Sequence, residues 1–137
     1  MAFKKFRKMK VYESSGYNYK STPSIILKGD WLKETGLADE ENNLNEDLLK
    51  KYTRSAMDTL IKKENLDTFV WSAAIHYNTE HIHIHIAATE PTPSWKEGQG
   101  RCRRNNNGEL YQRGKITPSS VDAMKSKFVN MALNEAD

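Results

Sequence analysis

The sequence has little cysteine and no long apolar run, and each scarcity excludes a class of protein. Cys102 is the single cysteine among 137 residues, which excludes an internal disulfide framework and a CxxC metal site. We expect it to be a reduced thiol in a loop of a cytoplasmic protein. No apolar run approaches the roughly 18 residues of a membrane span. The basic N-terminus precedes no apolar segment, so we expect neither a secretory signal nor a membrane partner.

Apolar residues are also sparse, at 37% against 28% charged residues. Three Trp, six Tyr and four Phe nevertheless argue against a disordered chain. We therefore expect a single compact domain with its core in the middle of the sequence. The predicted division is a basic arm and loop over residues 1–24 and an α+β domain over residues 25–137.

The net charge of only +3 conceals two basic segments on either side of an acidic one. Clustered Lys and Arg suit contact with nucleic-acid phosphates, because binding releases condensed counterions. Solvated tails or loops would have the same composition, so charge alone leaves both interpretations open. The predicted nucleic-acid-binding residues are Lys4, Lys5, Arg7, Lys8, Arg101, Arg103, Arg104, Arg113 and Lys115.

Hydrophobic periodicity and turn residues predict a mixture of strands and helices. The clearest element is an amphipathic helix over about residues 46–64, with Asn45 as its N-cap. A capping box beginning at Ser119 predicts the start of the last helix. The other predicted elements are strands over 9–12, 24–28, 69–75 and 82–89, a short helix over 31–35 closed by Gly36, a long loop over 94–116 with a turn at 105–108, and a helix over about 120–133.

All four histidines lie within ten residues, and three of them alternate with isoleucine. Alternate residues of a strand share a face, so we expect the histidines on one face and the isoleucines on the other. A hairpin with its turn centred at residues 79–80 pairs His76 with His83 and sets Ala74 opposite His85. The sequence therefore predicts that His76, His83 and His85 converge on one patch.

Three imidazoles at that separation can hold a divalent cation and leave positions open for substrate or water. Open positions favour a catalytic site, and phosphate chemistry with a water or tyrosine nucleophile is the predicted reaction class. The alternative is a set of half-exposed polar residues without a metal. His81, nearest the turn, is the expected bystander. Possible supporting carboxylates are Asp30, Asp58 and Glu90, each of which is more usually a surface charge.

Residues 71–87, WSAAIHYNTEHIHIHIA, resemble the third motif of MobP-class plasmid mobilisation relaxases among the HUH endonucleases. The similarity covers about residues 31–133. It implies an antiparallel sheet containing a histidine-bearing hairpin with flanking helices, and Mg²⁺ or Mn²⁺ on the three histidines. It also implies nicking of single-stranded DNA at a transfer origin through a covalent 5′-phosphotyrosine. The nucleophile lies near the start of such proteins, where no matching motif occurs, and Tyr17 and Tyr19 are the candidates.

The N-terminal residues 6–37, with RKMKVYESSGY and PSIILKGDWL, are similar to SymE-like type I toxins, which bind nucleic acid. Our leading hypothesis is a truncated or composite relaxase domain that acts on single-stranded DNA in plasmid mobilisation, and that is inactive alone if no tyrosine is supplied. One alternative is a SymE-like toxin that binds DNA or RNA and inhibits growth. Another is a globular domain with an incidental metal site.

Overall fold

The computed structural model describes residues 9–12, 20–21, 24–77 and 81–136. Within them the chain has the predicted mixed α+β fold, with a five-stranded antiparallel sheet, a separate two-stranded sheet and three helices. The elements are β1 (Met9–Tyr12), β2 (Lys20–Ser21), β3 (Ser24–Lys28), α1 (Gly29–Glu34), α2 (Glu46–Glu64), β4 (Val70–Tyr77), β5 (His81–Thr89), β6 (Cys102–Arg104), β7 (Leu110–Gln112) and α3 (Pro118–Ala136).

Strand β5 is the centre of the large sheet. Strand β4 pairs with nearly its whole length, from Ile82 to Thr89. Strands β3 and β2 share the opposite edge, and β1 pairs with β3 outside them. Two strands from the predicted arm, residues 1–24, are therefore part of the sheet. The proposed division into an arm and a domain stays a prediction.

Helices α2 and α3 cover one face of the sheet. Ile25 and Ile84, which pair across β3 and β5, are at most 1% exposed beneath the helices. The Phe128 ring of α3 lies edge-on to the Tyr52 ring of α2, with 5.7 Å between ring centroids. It also packs 6.4 Å from the Trp31 ring of α1. Apolar burial thus fixes one sheet face against the helices, and alternation along the strands assigns the histidines to the other.

Helix α2 spans the predicted residues and ends as its sequence indicates. The Asn45 side chain accepts a hydrogen bond from the Leu48 N–H at 3.2 Å, which confirms the predicted N-cap. Asn65 ends the helix in the left-handed conformation at φ 56°. Asparagine tolerates this conformation better than most residues, and the next N–H closes the turn onto the Ile61 carbonyl at 3.1 Å.

The other two helices differ from prediction at their starts. Helix α1 begins at Gly29, two residues before the predicted start, and the Asp30 carboxylate accepts from the Trp31 N–H. The predicted capping box at Ser119 is wrong, because α3 begins at Pro118. Its first turn is capped by Thr117, whose hydroxyl accepts from the Ser120 N–H at 3.4 Å. Proline lacks an N–H and has a fixed φ, so it suits the first position of a helix.

The long loop predicted over residues 94–116 is also wrong in part, because β6 and β7 pair within it. The predicted turn at residues 105–108 is confirmed and joins the two strands, and Gly108 donates to the Asn105 carbonyl at 3.1 Å. Cys102 lies in β6 and is fully buried, so it is not the loop thiol that we expected. We call residues 90–117 the anchored loop, because several side chains attach it to the sheet and to α2.

None of the helices in the described part of the chain is long and apolar enough to cross a membrane.

Candidate metal centre and nucleic-acid interface

The register of β4 and β5 brings three histidines together as the sequence predicts. His76 pairs with His83, and Ala74 pairs with His85. The small Ala74 side chain leaves space beside the His85 ring, which lies 4.2 Å from the His76 ring between centroids. The His83 and His85 rings are 5.9 Å apart. The turn predicted at residues 79–80 lies outside the described residues.

The three imidazoles are adjacent, but their rings are not aimed at one point. The planes of His83 and His85 are within 13° of parallel, so their in-plane lone pairs lie in nearly parallel planes. Across residues 24–77 and 81–136, no group of three or more His, Cys, Asp or Glu has the geometry of a metal site. His76 and His85 are exposed at the sheet surface, and His83 is half-buried. The donors therefore suit a divalent cation in number and chemical type, but as they lie here the three rings do not form a metal site.

The environment of His85 favours its neutral form. Partial desolvation, followed by repulsion from His76 and His83, lowers the pKa of His85 below its usual value of 6.5. The neutral imidazole is the form that binds metal, because its lone pair is then free of a proton. These surroundings therefore favour the neutral form of His85, which can act as a metal ligand.

The three carboxylates considered as supporting groups have different surroundings. Glu90 is only 4% exposed and accepts from the Arg101 guanidinium at 3.0 and 3.1 Å, so it is not a surface charge. Asp58 is exposed on α2, which packs on the opposite face from the histidines. Asp30 is exposed and bonds to the backbone of its own helix.

The predicted DNA-binding cations of the anchored loop fall into two groups. Arg101 is buried against Glu90, and Arg113 forms an ion pair with Glu64 at 2.6 Å. Arg103 is half-buried and donates to two carbonyls of its own loop, at Gly100 and Cys102.

Arg104 and Lys115 are exposed, and Arg104 makes a surface ion pair with Glu97 at 3.2 Å. Cations at the surface can reach phosphates, whereas the buried pairs hold the loop in place. Other predicted site residues lie outside the described residues, namely Lys4, Lys5, Arg7, Lys8, Tyr17 and Tyr19.

Two features of this region are absent from the sequence predictions. The first is Glu64, which is 6% exposed and accepts from Arg113 and from the Thr117 N–H. The second is Trp95, which is 53% exposed beside a cleft of about 310 Å³. A tryptophan between Pro93 and Lys96, in a segment without apolar periodicity, is the sequence signal that could have found it.

Comparison with known proteins places the chain in one family. Residues 10–137 match the family of MobL relaxases. No curated protein and no solved structure gives a match. The family match includes most of residues 6–37, for which the resemblance to SymE-like toxins stays a prediction. Relaxases act on single-stranded DNA in mobilisation and generally use a divalent metal. Because the match covers nearly the whole chain, the protein belongs to the MobL relaxase family.

Proposed function

We propose that this MobL relaxase nicks single-stranded DNA by a metal-dependent transesterification, with His76, His83 and His85 as the metal ligands. The observation that carries the proposal is the pairing of His76 with His83 beside His85 on one sheet face. A bound Mg²⁺ or Mn²⁺ would polarise a phosphate oxygen of the scissile linkage. Imidazole nitrogens are donors without negative charge, so they do not repel the anionic DNA as carboxylate ligands would.

The proposed nucleophile is a tyrosine hydroxyl from the N-terminal segment. Its oxygen forms a bond to a backbone phosphorus while the bond from that phosphorus to the 3′ oxygen breaks. The departing 3′ oxygen takes the proton that the tyrosine loses, which leaves a 5′-phosphotyrosine and a free 3′-hydroxyl.

Tyr17 and Tyr19 are candidates from the sequence, and the register supports adding Tyr12. Tyr12 pairs with Ser24, and Ser24 pairs with His85, so the three positions form one row across the sheet. Two strand spacings separate the backbones of Tyr12 and His85 by about 10 Å. This position in the sheet is the reason for adding Tyr12 to the candidates.

The proposed DNA contacts are electrostatic. The basic residues at the surface of the anchored loop and in the N-terminal segment would bind the phosphate backbone without reading its sequence. Single-stranded DNA rather than RNA is the proposed partner, and the cytoplasm is the proposed location.

A covalent adduct tests the function directly. The protein is incubated with Mn²⁺ and a labelled random-sequence single-stranded DNA library, and label that stays on the protein in boiling detergent is measured. We expect an adduct that one of Tyr12→Phe, Tyr17→Phe or Tyr19→Phe abolishes. An adduct unaffected by all three changes would exclude a nucleophile among these tyrosines. Growth arrest that survives changing His83 and His85 to Ala would favour the toxin instead.

Metal binding is tested separately by titrating the protein with Mn²⁺ and following the free ion by electron paramagnetic resonance. We expect His83→Ala and His85→Ala each to weaken binding at least 10-fold, because each removes one of three ligands. His81→Ala is the matched control, since it changes a histidine of the same strand and should leave the affinity within 2-fold. Equal effects of all three changes would overturn the ligand assignment.

A further inference from the structure

We propose that Trp95 is a stacking platform for one base of the single-stranded DNA that reaches the histidine site; this inference rests on the proposed function. Beyond the histidines, the same sheet face carries small exposed side chains at Ser72, Ala74 and Ala87. This face continues to Thr89, a wall of the cleft that Trp95 lines. Within the described residues, DNA leaving the histidines would therefore pass small side chains and exposed Val70 before it meets an exposed aromatic ring.

The distance along this path suits a short stretch of DNA. Four residues separate His85 from Thr89 on β5, which corresponds to about 13 Å at 3.3 Å per residue. A single strand with stacked bases advances about 3.4 Å per nucleotide, so the cleft wall at Thr89 would lie about four nucleotides from the phosphate at the histidines. A more extended strand would shorten this separation to fewer nucleotides.

The cleft is held open by contacts that do not need DNA. Two prolines, Pro91 and Pro93, line it, and their fixed φ angles stiffen the wall. The Thr92 carbonyl between them accepts from the Thr68 hydroxyl at 3.0 Å. The Ser94 carbonyl, next to Trp95, accepts from the Gln112 amide at 2.7 Å. A fixed surface loses little conformational entropy on binding, which favours a recognition role.

Charge favours a nucleic acid over an apolar peptide as the occupant. The anchored loop contains six Lys and Arg against three Glu. Glu90 is the one carboxylate of this loop that lines the cleft. Its ion pair with Arg101 offsets its negative charge, so it repels phosphates less than an unpaired carboxylate would. Exposed Lys96 follows Trp95 directly, and Arg103 pairs with Tyr111, a second exposed aromatic residue. Aromatic rings interleaved with cations are the usual means of binding single strands.

Fluorescence anisotropy with labelled (dT)₂₀ in EDTA tests the platform without any nicking. We expect Trp95→Ala to weaken binding between about 5-fold and about 150-fold, the range for loss of one stacked base. Trp95→Phe should restore at least half of the lost affinity on the logarithmic scale. Tyr77→Ala is the matched control, because Tyr77 is 61% exposed on the opposite sheet face and should change affinity less than 2-fold.

An abasic 20-mer of the same length separates stacking from charge. Wild-type protein should bind it more weakly than (dT)₂₀, and Trp95→Ala should reduce that difference. An unchanged difference, or a Trp95→Ala affinity within 2-fold of wild type, would overturn the inference while the covalent-adduct assay still stands. A change in sedimentation of the Trp95→Ala protein without DNA would instead assign the ring to self-association. If wild-type protein binds no single-stranded DNA, the inference and the proposed function both fail.

Discussion

Several charged side chains that the sequence suggests for DNA binding have a structural role in the fold. Arg101 and Arg113 are basic residues of the anchored loop, yet each donates to a carboxylate that is at most 6% exposed. Removing one partner from such a pair leaves a buried charge without compensation, which is strongly destabilising. The paired residues, Glu90 and Glu64, are therefore as important for the loop as the arginines themselves.

Glu64 gives a prediction about pH. Burial would raise the pKa of its carboxyl, but hydrogen bonds from Arg113 and Thr117 outweigh burial and hold the pKa below 4.5. The unfolded state therefore binds the proton first as the pH falls. The stability from Glu64 should be complete above about pH 5.5 and decline as the pH falls through 4.5 towards the folded-state pKa.

Denaturant unfolding at several pH values checks this. Glu64→Gln should lower the free energy of unfolding at pH 7 by about 2–3 kcal/mol and flatten its decline below pH 5. Asp39 is the site of the control substitution, because it lies at the surface and hydrogen bonds from Asn43 also lower its pKa. Asp39→Asn should leave most of the acid dependence in place. An unchanged pH profile in Glu64→Gln would contradict the assignment.

At the scale of elements, β5 combines two functions in one strand. Its isoleucines at 84 and 86 are each 1% exposed and pack under the helices, while the alternating histidines at 83 and 85 lie on the other face. The period of two in a strand makes this division possible, because neighbouring residues point in opposite directions. Strand β4 adds the third histidine through its register with β5. A one-residue slip in that register would separate His76 from the other two histidines.

Neighbouring substitutions on β5 should therefore have separable effects. Ile84→Ala should lower the free energy of unfolding by about 2–5 kcal/mol, because it leaves a cavity in the core. His83→Ala should change it by less than about 1 kcal/mol, and should weaken Mn²⁺ binding at least 10-fold. Thermal unfolding and Mn²⁺ titration on the same two proteins check this. A loss of stability in His83→Ala as large as in Ile84→Ala would show that His83 belongs to the core instead.

At the scale of the whole molecule, the helices occupy one side of the sheet and leave the described part of the other side open. The anchored loop extends from the end of β5 and returns to α2 through the Glu64 contacts with Arg113 and Thr117. Gly100 stabilises this return, because a Cβ there would lie 3.3 Å from the Asn65 carbonyl oxygen and its φ is +51°. The loop thereby carries its cations on a fixed base close to the end of the histidine strand.

This arrangement predicts that the salt dependence of DNA binding comes mainly from the exposed cations of the anchored loop. Changing the exposed residues Lys96, Arg104 and Lys115 together to Gln should make the slope of log affinity for (dT)₂₀ against log salt shallower by about 2. Each lost phosphate contact contributes about 0.7 to that slope. The control removes the same charge from α2 by changing Lys50, Lys62 and Lys63 to Gln. Equal slopes for the two triple variants would show that binding depends on net charge alone.

Neighbouring residues in the sequence are enough to predict the local elements and the candidate metal ligands. Helix α2 and its Asn45 cap follow from periodicity and side-chain chemistry over a few neighbouring residues, and the histidine register follows from a short connection. These features depend on interactions between residues close in the chain. That is why they could be predicted before any tertiary contact was known.

Which charged and aromatic residues are available for binding depends on contacts between distant parts of the chain. Glu64 meets Arg113 across 49 residues, and β6 pairs with β7 inside a segment that looked structureless. Pairing between distant residues produces no periodic pattern in the sequence. The environment of each side chain is set by a partner that lies far away in the chain. Arg101 and Arg104 belong to the same short basic segment of the sequence. Arg101 is nevertheless buried against Glu90, whereas Arg104 is exposed. The exposure of Trp95 could not be predicted for the same reason, because it depends on how the anchored loop attaches to the sheet.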